Sequence, residues 1–325
     1  MEVRQLGQLW PVSALTLGGG GLGQVWGETS RAEAVATVRA AAASGIDFLD
    51  MAPLYGKGEA EVVVGEAFAG KLPVGMRVSS KCMVGLLDPA AMLEKMERSI
   101  VRSLKSMRLE RLDTFVLHSQ ILPDGYQLQG HEDTQHTWTV NWSCYQQSVI
   151  PAMEQLQQKG LIEHWGITGI GLPATVRQAL ALPVKPAVVQ VIANLMDSAG
   201  GIRRFDEAAE PRRIIACAKE QGVGVMGIRA VQAGALTDSL DRSLAADDAE
   251  QLDFVRAQPW RTLCLELNEN PAVLAHRYAL AMEGVDTVVL GVKNRQEQSQ
   301  IIDGHNLGPL APDLIARIDS LGLRS

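Results

Sequence analysis

No apolar run in this chain approaches the roughly 18–20 residues that a membrane helix needs, so a membrane-spanning protein is not expected. The N-terminus lacks a basic segment followed by an apolar run, so no secretory signal is expected either. Cysteine is sparse: Cys82, Cys144, Cys217 and Cys264 are widely scattered, with no paired spacing. That pattern fits neither a disulfide framework nor a zinc site, and it reads as reduced thiols in a cytoplasmic protein. Positive charge is short as well. The formal net charge is −7 and no basic run offsets it, which argues against a nucleic-acid partner.

What is present is ordinary globular composition, 46% hydrophobic over 325 residues with 31 Gly and 14 Pro, ample for a large core. Length alone allows two domains, but α/β barrels of this size run as one. No composition break or linker interrupts residues 1–325, which therefore read as a single domain. The opening MEVRQLGQLWPVSALTLG reads as a short hairpin followed by a first strand near Ser13–Leu17. Gly18-Gly19-Gly20-Gly21-Leu22-Gly23 formally satisfies GxGxxG. A dinucleotide fingerprint needs a helix opening at once on those glycines, whereas the helix signal here waits until Thr29-Ser30. The glycines read instead as a flexible loop that lets a ligand approach the backbone, with Gly20 at its centre.

GIDFLDMAPLYGKGEAEVVVGEAF, residues 45–68, reads as a buried strand, a polar turn broken by Gly56 and Gly58, and a packed helix. Strands are expected at Met76–Lys81, Asp113–His118, Ile162–Thr168, Ala187–Ile192, Val223–Ile228 and Thr287–Leu290. Helices fall between them. Asp88-Pro89 is an N-cap and first-turn pair, and Met92, Met96, Ile100 and Leu104 at spacing four make one core-facing stripe. Residues 119–143 and 229–248 read as long irregular connections, the first long enough to suggest a lid. A last helix is expected near Pro312–Leu321. Eight strand–helix units in one chain argue a closed (β/α)8 barrel, with an N-terminal hairpin and a short C-terminal helix, over an open sheet.

In a parallel α/β fold the carboxyl ends of the strands carry the chemistry. Asp50 ends the second strand and Tyr55 lies just beyond it; Lys81 ends the third and His118 the fourth. In a barrel these four would converge at one mouth. Gly45-Ile46-Asp47-Phe48-Leu49-Asp50-Met51-Ala52 with Tyr55-Gly56, Glu61 and Gly65, followed by Ser80-Lys81 and Leu117-His118, resembles the signature of the aldo-keto reductases. Gly166-Ile167-Thr168, Val189-Gln190 and Gly291-Val292-Lys293-Asn294-Arg295 are similar to that family's fifth and sixth strands and its cofactor segment. The likeness spans nearly the whole chain.

The resemblance implies an NAD(P)(H)-dependent oxidoreductase that reduces small aldehydes or ketones without a Rossmann domain. Tyr55 would be the general acid, its pKa of about 10 lowered by Lys81. Asp50 would hold Lys81, and His118 would orient the carbonyl. Taken singly, an Asp–Lys pair reads as a structural ion pair and a lone His as a core residue; four in register favour catalysis. Thr168 and Gln190 would take the nicotinamide carboxamide, with Gly169 where the family has Asn. Ile228 stands where an aromatic usually stacks on the ring. Arg229, Gln232, Gly234 and Leu236 would belong to a clasp over the pyrophosphate. Gly291, Lys293 and Arg295 would line the adenine end, and Glu297 stands where a basic residue is frequent. NADP(H) is thus the preferred cofactor and NAD(H) the alternative.

Trp26, Trp138 and Trp142 are candidates for the substrate pocket, whereas Trp165 and Trp260 read as packing. The short chain beyond the last helix suggests an open pocket. His131-Glu132-Asp133-Thr134-Gln135-His136 is not HExxH, since its histidines are five apart, and no metal is expected. Two other readings stay open: an NAD-dependent aldose 1-dehydrogenase, and a cofactor-binding regulatory or sensor subunit.

Overall fold

The computed structural model describes residues 1–128 and 132–324. Strands β1 (Val3–Gln5) and β2 (Pro11–Ser13) pair antiparallel as the expected hairpin. The eight-stranded part follows as β3 (Leu15–Gly18), β4 (Phe48–Asp50), β5 (Arg77–Cys82) and β6 (Leu112–Leu117). Two short strands, β7 (Gln120–Leu122) and β8 (Thr139–Asn141), pair only with each other. The barrel then resumes with β9 (Ile162–Thr168), β10 (Val188–Ile192), β11 (Gly224–Ile228) and β12 (Thr287–Leu290). All barrel pairs are parallel, and β12 closes the ring on β3. Helices cover the outside, giving the (β/α)8 architecture that the strand–helix alternation predicts.

The hairpin seals the amino-terminal end of the barrel. Leu6, Trp10 and Val12 pack with Phe48, Val188 and Met226 in a cluster of their own. Close contact there needs glycine: Gly7 has φ +51°, and a Cβ on it would lie 2.3 Å from the Gly224 backbone nitrogen. Trp10 is only 8% exposed, with the Arg77 guanidinium 4.6 Å from its ring. Trp10→Ala should therefore cost about 3–5 kcal/mol of stability, the usual toll for truncating a buried aromatic, read as a lower denaturant midpoint at unchanged slope. A midpoint equal to that of the wild type would mean the floor does not contribute.

Local signals account for the helix starts. Asp88 accepts the Ala91 amide at 2.9 Å, Pro89 sits in the first turn, and Met92, Met96, Ile100 and Leu104 are all buried on helix Pro89–Met107. Ser30 caps helix Arg31–Ala43 by accepting from the Glu33 amide. The final helix spans Pro312–Asp319. It is tied outside the barrel wall through Arg317 to Glu266 and through Asp319 to Tyr278.

Two expectations are corrected. Residues 18–23 are not a flexible loop: Gly19–Leu22 is a buried helical turn. Its glycines are required by protein packing. Added Cβ atoms would lie 2.4 Å from the Leu290 carbonyl oxygen at Gly18, 2.0 Å from the Val292 carbonyl oxygen at Gly21, and 2.5 Å from the Tyr55 carbonyl carbon at Gly23. The 119–143 stretch is likewise more than irregular chain, carrying β7, β8 and helix Glu132–Trp138. The 229–248 stretch leads into two further helices, Ala249–Arg256 and Gln258–Leu267.

Candidate active site

Strand alternation aims the key groups inward. On β5, Ser79 and Lys81 point into the barrel, while Ser80 between them points out to the helix layer. There its hydroxyl donates to Glu61 at 2.7 Å. Glu61 is fully buried, and burial pushes its carboxyl above the usual carboxylate range. Inside, Asp50 accepts from Ser79 Oγ at 2.7 Å and from Gln190 Nε2 at 2.7 Å, both on Oδ1. The second of these bonds crosses the barrel, because β10 lies opposite β4 in the ring. Its other oxygen takes Lys81 Nζ at 2.8 Å.

Lys81 is buried, and an ammonium has three protons to place. They have three acceptors: Asp50 Oδ2 at 2.8 Å, the Met51 carbonyl at 3.0 Å and Tyr55 Oη at 3.2 Å. Tyr55 Oη therefore accepts from Lys81 and keeps its own proton for something else. His118 meets the Tyr55 ring edge-on, with ring centroids 6.3 Å apart. Ser119, next to it, fixes that strand end by exchanging bonds with the backbone of Val84 at 2.8 and 2.7 Å.

Electrostatics refine the roles. Burial alone would lower the Lys81 pKa, but the charge of Asp50 and the phenol oxygen outweigh it, and the net direction is up. The direction for Tyr55 corrects the expectation of a lowered phenol. Burial raises it, the Lys81 charge opposes, the Asp50 charge adds to the rise, and the net result lies above 10. The His118 imidazole is pushed down to about 3 by burial and by the nearby Lys81 charge. At neutral pH the mouth thus holds a protonated phenol, a buried ammonium and a neutral imidazole. Such a set can donate a proton to a developing alkoxide and hydrogen-bond the same oxygen.

Of the expected nicotinamide residues, Thr168 and Ile228 end β9 and β11, and Gln190 lies within β10 against Asp50. The Thr168 hydroxyl accepts the Ile170 amide at 3.2 Å and retains its proton. Gln190 spends an amide proton on Asp50, a bond that leaves its carbonyl oxygen uncommitted. Ile228 packs with Ile170, Ile192, Ala199 and Ile202 in an aliphatic patch. Gly169 has a steric reason for lacking a side chain: a Cβ there would lie 2.9 Å from the Gln190 carbonyl and 3.0 Å from Val191.

The other expected cofactor residues have protein partners. Arg229 pairs with Glu250 at 2.6 Å, and its Nε donates to Gln232 at 2.9 Å. Gln232 donates in turn to Asp253 at 2.7 Å. Leu236 is fully buried, its carbonyl accepting from Trp260 Nε1 at 3.1 Å. These side chains hold the 229–236 turn in place, which Gly234 completes at φ +96°. At the other rim Lys293 pairs with Asp241 at 2.6 Å and Glu297 at 3.5 Å, and Arg295 pairs with Glu33 at 2.9 Å.

Trp26 lies over the glycine turn, since a Cβ on Gly20 or Gly291 would come within 2.7 or 3.4 Å of its Nε1. Trp142 packs on Tyr145, with centroids 5.7 Å apart. Trp138 carries the Arg204 guanidinium 4.5 Å from its ring. Trp165 and Trp260 are core residues. His131 lies outside the described residues, while His136 is exposed on helix Glu132–Trp138. Sequence reasoning missed Ser79, although its place two residues before Lys81 puts it on the same face. It also missed the isoleucine patch, which nothing local announces.

Comparison with known proteins bears on this geometry. The profile of the Aldo/keto reductase family matches residues 14–322. An L-galactose dehydrogenase from Arabidopsis thaliana is 27% identical over 297 residues, covering 90% of this chain and 85% of that protein. Among solved structures, an aldo-keto reductase from Bacillus halodurans in its holo form superposes with a TM-score of 0.69 at 21% identity, covering 99% of this chain and 96% of that one. An aldo-keto reductase from Klebsiella pneumoniae in complex with NADPH gives 0.67 at 22% identity, covering 100% and 96%.

Proposed function

The chain belongs to the aldo/keto reductase family, and from that premise we propose that it reduces small aldehydes or ketones to alcohols, with residues 1–325 forming one barrel domain. One observation carries the reading: the three protons of Lys81 are spent on Asp50, Met51 and Tyr55, so the Tyr55 hydroxyl proton is the one left for a ligand. Asp50, itself held by Ser79 and Gln190, keeps the ammonium charged and in place. Tyr55 gives its proton to the carbonyl oxygen as that oxygen gains charge. His118, neutral, donates an N–H to the same oxygen and turns the carbonyl toward Tyr55.

A nicotinamide cofactor, when bound, supplies the hydride. The residues suit one. Thr168 and Gln190 offer a hydroxyl and an amide carbonyl for its carboxamide, and Ile228 with Ile170 and Ile192 offers an apolar face for its ring. Lys293 and Arg295 would meet the phosphate end. NADP(H) is the preferred form, in keeping with the NADPH complex of the Klebsiella relative. NAD(H) is the alternative, because both cations already face carboxylates.

The likeness to an L-galactose dehydrogenase favours a second reading, oxidation of an aldose at C1 with NAD. That direction needs the Tyr55 phenolate, which burial disfavours. Steady-state assays with NADPH and NADH on aldehydes and ketones, and with NAD on aldoses, decide between them. Carbonyl reduction should proceed with kcat/KM flat from about pH 5 to 9, because Tyr55 stays protonated below its raised pKa and His118, at about 3, stays neutral throughout. Aldose oxidation, if present, should instead climb with pH. An inflection near the ordinary histidine value would show that His118 titrates in the reaction and would overturn its neutral role. Tight cofactor binding with no turnover of either kind would favour a sensor.

A further inference from the structure

Beside the proposed centre stands a cation that the reaction chemistry does not use. Trp138 ends helix Glu132–Trp138 and directly precedes Thr139, which pairs with Gln120, two residues past His118. Arg204 lies over the Trp138 ring at 4.5 Å. Its segment is fixed on both sides. Gln120 Nε2 donates to the Ile202 carbonyl at 3.0 Å, and Phe205 is buried with Leu122, Leu128 and Leu172. Ile202 itself packs on the patch that contains Ile228.

Arg204 thus belongs to a segment tied both to Gln120, two residues past His118, and to the nicotinamide-side patch. Among the described residues no carboxylate pairs with it, and neighbouring Glu207 instead accepts from the Tyr126 hydroxyl at 3.1 Å. Arg229 and Arg295, the arginines expected at the cofactor, each have by contrast an acid of their own. A guanidinium held over an indole with no acid on its N–H groups can take a planar anion in two parallel bonds.

We propose that Arg204, braced by Trp138, is a specificity residue that selects carbonyl substrates bearing an anionic group, a carboxylate or a phosphate, a few bonds from the carbonyl. The proposal rests on the reductase reading of Tyr55 and His118. It makes the mouth a two-point site: the carbonyl oxygen meets Tyr55 and His118, and the anion meets Arg204. A surface cation–π pair with no ligand is the competing account.

The test is a ratio. The protein is assayed with its working cofactor on 4-carboxybenzaldehyde against 4-methylbenzaldehyde, and on glyceraldehyde 3-phosphate against glyceraldehyde. The wild type should favour the charged member of at least one pair, and which pair it is separates carboxylate from phosphate. Arg204→Met should lower that charged-to-neutral ratio of kcat/KM by about 10- to 100-fold through KM, the range of a charge-assisted hydrogen bond, and Arg204→Lys should recover part of it. Equal ratios in wild type and Arg204→Met would overturn the proposal while leaving the reductase reading intact. If no aldehyde is reduced, the reductase reading fails instead. Calorimetric binding of the same charged and neutral pairs to wild type and Arg204→Met then decides the anion site without turnover.

Discussion

Tyr55→Phe should bind cofactor as the wild type does and lose about 10²- to 10⁴-fold in kcat/KM for carbonyl reduction, the usual contribution of a positioned general acid. The substitution keeps the ring and its edge contact with His118, at a centroid distance of 6.3 Å. It removes only the hydroxyl that accepts from Lys81 at 3.2 Å and faces the mouth with its own proton. Folding should be only modestly affected, because the Lys81 ammonium keeps two of its three acceptors, Asp50 and the Met51 carbonyl. Isothermal titration of cofactor and single-turnover reduction on the same preparation separate the two effects. Retained single-turnover rate would sink the role given to the phenol. Loss of cofactor affinity in step with rate would mean the hydroxyl holds the cofactor instead.

Much of this arrangement was legible in the sequence, because the signals were local. Asp88-Pro89 announces a helix start, the spacing of Met92, Met96, Ile100 and Leu104 announces the face it buries, and β9 and β12 fall on their expected spans. Asp50, Lys81 and His118 could be placed because strand ends are marked by the switch from apolar to polar residues. What stayed hidden depends on contacts between distant segments. The glycines at 18–23 look like a flexible loop until Leu290, Val292 and Tyr55 are seen pressing on them. The steric reason for Gly169, the Gln190 carbonyl lying in the way of a side chain, is equally hidden. The acids that engage Arg229 and Gln232, Glu250 and Asp253, lie on a helix that no local signal brings near them. The direction of the Tyr55 pKa was misjudged for the same reason: the Lys81 charge is visible in the sequence, the depth of burial is not.

Lys81→Met should abolish measurable reduction and also destabilise the fold, an effect that separates it from Tyr55→Phe. The side chains of Lys81 and Asp50 are 0% and 3% exposed. Removing one partner of such a pair leaves a buried charge and costs about 3–5 kcal/mol. Asp50 would keep the Ser79 and Gln190 donors but lose its cation. Its simplest escape is to take up a proton, which raises its pKa in the folded state above the unfolded value. The sign of the pH effect follows. The folded variant then binds more protons than the unfolded chain, so its stability deficit should shrink as pH falls and widen as pH rises. Denaturant unfolding of wild type and variant across that range checks this, and a deficit independent of pH would mean Asp50 is not the strained group. The double variant Asp50→Asn with Lys81→Met removes both charges together. It should recover most of the lost stability while staying inactive, because Tyr55 would still lack the ammonium that takes its oxygen lone pair and directs its proton outward. Recovery of activity along with stability would show that the Asp50–Lys81 pair serves the fold alone.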